Sequence, residues 1–96
     1  MTRESYLSKL LESGKVCDHM RRARMISGLS QTALADAVGV YASQISRYET
    51  GEMVPSLLMA MDLAKAVGIT LDEYVGIRPL PKKWVEQNMG KIDYEY

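Results

Sequence analysis

Apolar residues recur along this chain at spacings of three and four, and no stretch alternates with a period of two. That pattern predicts helices and no strands. Tyr6, Leu7, Leu10 and Leu11, ending at Gly14, have the spacing of a short amphipathic helix outside the main domain. A second pattern runs from about Val16 to Ser27, with Val16, Met20, Ala23 and Ser27 on one stripe, and stops at Gly28. Ser30 is suited to cap a helix from Gln31 to Val38, with Leu29 able to pack on Leu34 as a hydrophobic staple. Gly39 ends that helix, where a residue without Cβ takes positive φ at little cost. A helix from about Ala42 to Glu49 follows, with Ile45 and Tyr48 inside and Ser43, Gln44, Ser46 and Arg47 outside.

Beyond Gly51, Pro55 and Ser56 are expected to begin a helix reaching Val67, its buried positions Leu57, Ala60, Leu63, Ala64 and Val67. Thr70 and Glu73 make a capping box for a short helix to about Val75, stapled by Ile69 and Tyr74. Pro79 and Pro81 then break the pattern, leaving a weaker helical stretch around Trp84 to Met89 and an acidic, tyrosine-bearing end. The division that follows is an N-terminal extension over 1–15, an all-α domain over 16–77 and a C-terminal extension over 78–96. The tail aromatics Trp84, Tyr94 and Tyr96 either pack back on the domain or meet a partner subunit, a dimer or partner contact being favoured, and the Leu7, Leu10, Leu11 stripe leaves the same two readings.

Composition narrows the function classes. With 96 residues and 47% hydrophobic content, the chain is sized for one packed domain. No opening apolar run suits a signal peptide, and no run of about 18 apolar residues would span a bilayer, so a soluble, cytoplasmic protein with no membrane partner is expected. Cys17 is the only cysteine and His19 the only histidine, which excludes an internal disulfide and a four-ligand zinc site. Cys17, Asp18 and His19 are consecutive and diverge on a helix, so they cannot assemble a nucleophile and base. No catalytic residue, metal or cofactor is expected, and the seven methionines read as core filler.

Twelve basic residues balance twelve acidic ones, so bulk charge does not favour an anionic partner. The local balance does. From Lys15 to Gly51, Lys15, Arg21, Arg22, Arg24 and Arg47 stand against Asp18, Asp36 and Glu49, five minus three or plus two. Arg21 and Arg22 are read as solvent-facing. Two short helices joined by only Gly39, Val40 and Tyr41 must cross steeply and project the second outward. The major groove of DNA, about 12 Å wide, admits such a helix, and Arg, Gln and Ser match its base edges.

Counted from Gln31, the fifth, ninth and fifteenth positions of a helix-turn-helix must be small, flexible and buried, and Ala35, Gly39 and Ile45 are of those kinds. On these residues, together with Gly28-Leu29-Ser30-Gln31, Gln44-Ile45-Ser46-Arg47-Tyr48-Glu49, Gly51, Pro55 and Leu71-Asp72-Glu73, the chain resembles the lambda-repressor and Cro class of helix-turn-helix proteins, the Xre family, over about Met20 to Val75. The resemblance implies a five-helix domain acting as a homodimer on an inverted-repeat operator in double-stranded DNA. It implies a phosphate contact for Gln31, base-facing positions at Ala42, Ser43 and Arg47, and Tyr41 and Gln44 beside the DNA backbone. It also implies a structural ion pair between Arg24 and Glu49.

Two positions depart from the family. Tyr41 stands where a Ser or Thr usually caps the recognition helix, and Ala42 replaces a frequent polar reader, so specificity is expected to lean on Ser43, Gln44 and Arg47. The expected function is a DNA-binding transcriptional repressor. Two alternatives stand beside it: an antitoxin or restriction controller, the former with a protein partner, and a protein-interaction module without DNA, which the zero net charge would suit.

Overall fold

The computed structural model describes residues 14–88, with side chains from Val16 onward; the expected helix before Gly14 and the end of the tail lie outside them. Six helices are present among these residues: α1 Gly14–Ser27, α2 Gln31–Val38, α3 Ala42–Thr50, α4 Leu57–Val67, α5 Leu71–Val75 and α6 Lys82–Asn88. None is long and apolar enough to cross a membrane.

Local chemistry sets most of the boundaries. Ser30, Ser56 and Thr70 hold extended backbone at the N-caps of α2, α4 and α5, and each side-chain oxygen accepts a backbone N–H three residues on. The capping box at α5 is closed from both sides: Glu73 N–H donates to Thr70 Oγ1 at 3.3 Å, and Thr70 N–H donates to Glu73 Oε1 at 2.9 Å. Pro55 stands outside α4 rather than opening it, because Ser56 takes the cap and Pro55 is buried in the preceding loop. Gly39 adopts φ 77°, and its N–H and that of Val40 both reach back to the Ala35 carbonyl. This tight exit from α2 leaves two residues before α3 begins.

The core joins all of the first five helices: Met20 and Ala23 of α1, Leu34 and Ala35 of α2, Ile45 and Tyr48 of α3, Leu63 and Val67 of α4, and Tyr74 and Val75 of α5 are buried together. Small residues are placed where helices meet, and Ala23, Ala35, Ala60 and Ala64 are almost wholly enclosed. A larger side chain at any of them would force strain into a packed interior. α2 lies on α3 and α4, while α1 runs behind α3 and α5. The stretch beyond Pro79 and Pro81 does not stand apart: α6 packs against α1, and the indole of Trp84 lies beside Gly68 at the end of α4.

Candidate nucleic-acid interface

α3 is two-sided. Ile45, Tyr48 and Glu49 are buried, whereas Ser43, Arg47 and Thr50, at spacings of four and three, form an exposed stripe. Thr50 was not singled out from the sequence; its hydroxyl donates to the Arg47 carbonyl at 3.2 Å and closes the helix end. Its spacing from Arg47 was the available signal.

The orientation of that stripe is set from beneath. Arg24 on α1 donates from Nε to Glu49 Oε2 at 2.7 Å and from Nη2 to Oε1 at 3.0 Å, a two-pronged pair whose side chains are 11% and 2% exposed. The third guanidinium nitrogen, Nη1, donates to the Leu29 carbonyl at 2.8 Å, in the loop before α2. Gln31, the first residue of α2, completes the group by donating from Nε2 to Glu49 Oε1 at 3.1 Å. One buried carboxylate thus ties α1, α2 and α3 together. The flat guanidinium suits this, since it offers several donors in a fixed fork.

Tyr74 of α5 is buried beside this cluster. Burial pushes its hydroxyl well above the ordinary value of 10.0, the negative charge of Glu49 adds to the rise, and Arg24 opposes it.

The remaining candidates fall into distinct settings. Tyr41 occupies the N-cap of α3 without a side-chain cap, and at 83% exposure it projects from the molecule. Ala42 is half-buried and packs against the core, a different setting from the open Ser43. Gln44 is half-buried, and its Nε2 donates to the Tyr48 hydroxyl at 2.6 Å, along α3. Gln31 is likewise half-buried and turned toward Glu49. Arg21 and Arg22 are exposed on α1. Neither the Gln31–Glu49 nor the Gln44–Tyr48 hydrogen bond was anticipated; the first joins positions 18 apart, for which no local pattern exists. Among the described residues no cluster of three or more His, Cys, Asp or Glu could hold a metal ion.

Sequence comparison agrees with this geometry. The helix-turn-helix family matches residues 20–74, which run from the middle of α1 into α5. The chain is 27% identical over 62 residues to the transcriptional repressor RstR of the cryptic phage CTXphi of Vibrio cholerae serotype O1, covering 65% of this chain and 55% of that protein. It is 38% identical over 52 residues to YgzD, an HTH-type transcriptional regulator of Bacillus subtilis, covering 54% of this chain and 76% of that one. The matched stretch thus spans little more than half of the first relative's length. No solved structure matches at comparable significance. The chain belongs to the lambda-repressor-like, or Xre-like, helix-turn-helix family of DNA-binding transcription regulators.

Proposed function

We propose that this protein is a homodimeric transcriptional repressor that reads an inverted-repeat operator by laying α3 in the major groove of each half-site. The observation that carries this reading is the exposed Ser43, Arg47, Thr50 stripe, backed by the buried Arg24–Glu49 pair that makes α1, α2 and α3 one rigid unit. A reading helix gains from such support, because base hydrogen bonds tolerate little misplacement.

In this reading Arg47 is the principal base contact. Its guanidinium suits the O6 and N7 acceptors of guanine, a pairing worth roughly 1–3 kcal/mol of discrimination. Ser43, one turn earlier on the same stripe, reads a neighbouring base. Gln31 uses one amide hydrogen on Glu49, and the second is the donor for a phosphate. Tyr41 and Gln44 lie beside the DNA backbone, and Ala42 serves at most as an apolar contact to a thymine methyl group.

The relative RstR is named a transcriptional repressor, which supports the sign of regulation proposed here. Repression follows from occupying the site, and two copies across a two-fold axis place their α3 helices about 34 Å apart. The test is selection of binding sites from random duplexes with the purified full chain. The expected product is an inverted repeat whose half-sites are centred one helical turn apart; enrichment of a single asymmetric site would overturn the dimer, and no enrichment would overturn the DNA reading.

A further inference from the structure

A groove of about 540 Å³ opens between α1, the segment after α5, and α6, and none of the residues around it belongs to α2 or α3. Its floor is apolar, from Ile26, Leu80 and Val85, and its rim is charged. Two of the rim charges are engaged: Arg78 lies 3.7 Å from Asp72, and Glu73 holds the capping box of α5. Three exposed charges remain in a defined order: Arg22 on α1, Lys82 at the start of α6, and Glu86 one turn further along α6.

We propose that this groove is the docking site of the chain's own residues 89–96, taken up antiparallel to α6. The occupant is indicated by position, reach and charge. The segment follows directly on Asn88, the last residue of α6, and reads Met-Gly-Lys-Ile-Asp-Tyr-Glu-Tyr. From Asn88 back to Lys82 is about 9 Å along the helix axis. Residues 89–96 can span up to about 26 Å, more than that distance.

The charges are complementary in order: Lys91 is opposite in sign to Glu86, and Asp93 to Lys82 and Arg22. Ile92 and Tyr94 supply apolar side chains suited to the floor. Docking leaves the exposed stripe of α3 untouched, so the inference is independent of the DNA reading.

The test is thermal unfolding of the full chain at low salt. Reversing the segment's acids, Asp93→Lys with Glu95→Lys, is expected to lower Tm by roughly 4–8 °C, and the difference should shrink at high salt. Reversing the rim, Arg22→Glu with Lys82→Glu, should lower Tm as well, and combining both pairs should recover most of the loss. Because Lys82→Glu also places a like charge one turn from Glu86 within α6, the rim variant's own loss decides nothing, and the recovery in the combined variant is the diagnostic. Backbone amide NMR supplies the second readout, with the signals of Ile26, Val85 and Glu86 shifting in the Asp93→Lys, Glu95→Lys variant. Unchanged amides, or charge pairs whose effects simply add, would overturn the proposal; so would a Tm that rises with protein concentration for the parent and not for the tail variant, which would place the segment on a second copy.

Discussion

The Glu49 carboxyl group is buried, its side chain 2% exposed, and four short interactions compensate it or its partner: two from Arg24, one from Gln31, and the anchoring of Arg24 on the Leu29 carbonyl. Removing one partner is expected to cost far more than the pair contributes, since the other charge stays buried. Arg24→Ala should destabilise the protein by about 3–5 kcal/mol. Chemical denaturation measures this directly, and an unchanged midpoint would contradict the assignment. Glu49 faces Arg24 through residues 25 apart in sequence, so the family resemblance, and no local pattern, made the pair legible. The donors from Gln31 and to Leu29 were not legible at all, because they depend on how the α1–α2 loop folds over the guanidinium.

At the same scale, Arg47 and Gln31 make separable predictions. Arg47→Ala is expected to cost roughly 1–3 kcal/mol on the preferred operator and to relax the base preference at one position. Gln31→Ala should weaken all sequences alike, which competition with mismatched duplexes would reveal. Tyr74 gives the pH dependence. Its hydroxyl is neutral and buried, and its raised value means that the unfolded chain ionises first as pH climbs past 10.0. Stability from this group is therefore complete below that pH and lost progressively above it. Urea unfolding at about pH 9 and about pH 11 should show a steeper loss for the parent than for Tyr74→Phe.

Among α2 to α5, α3 is the least well begun. α2, α4 and α5 all start on a hydroxyl that accepts an N–H, but Tyr41 leaves the first turn of α3 uncapped. Tyr41→Ser is expected to stabilise the fold by about 1 kcal/mol through the missing cap, readable as a raised Tm. If Tyr41 lies against DNA as proposed, the same variant should bind operator less tightly despite its greater stability. The start of α4 shows the limit of residue preference: proline's fixed φ suits a first helical residue, yet Pro55 stays outside the helix because Ser56, one position later, offers a hydroxyl and takes the cap. The role of Gly76 depends on a residue far away in sequence, so no local signal marks it. Gly76 bends the chain at φ 92° under the imidazole of His19, where an added Cβ would lie 2.5 Å from the ring.

For the whole molecule, a zero net charge means that long-range attraction contributes little to association with DNA. Affinity then depends on contacts made at the surface of α3 and on doubling them in a dimer. The log-log slope of affinity against salt is expected to be shallow, about 0.9 per neutralised phosphate, and to double when two half-sites are engaged in place of one. Titration against full and half operators at several salt concentrations tests this. A slope near zero would favour the protein-interaction alternative. The match over residues 20–74 leaves α6 outside the family's common part, although it packs on α1 as part of the same body.

Helical periodicity, capping residues and terminal glycines are local signals, written within a few positions of the feature they produce. They suffice to place five helices, the steep turn at Gly39 and the outward positions Ser43 and Arg47 of α3, though not the half-buried Gln44 and Ser46. What tertiary packing decided is whatever joins distant positions: the fourfold bonding around Arg24 and Glu49, the inward turn of Gln31 and Gln44, the packing of Ala42 on the core, and the return of α6 onto α1. Each depends on which surfaces remain uncovered once the helices have assembled. A chain read one residue at a time carries no direct record of that.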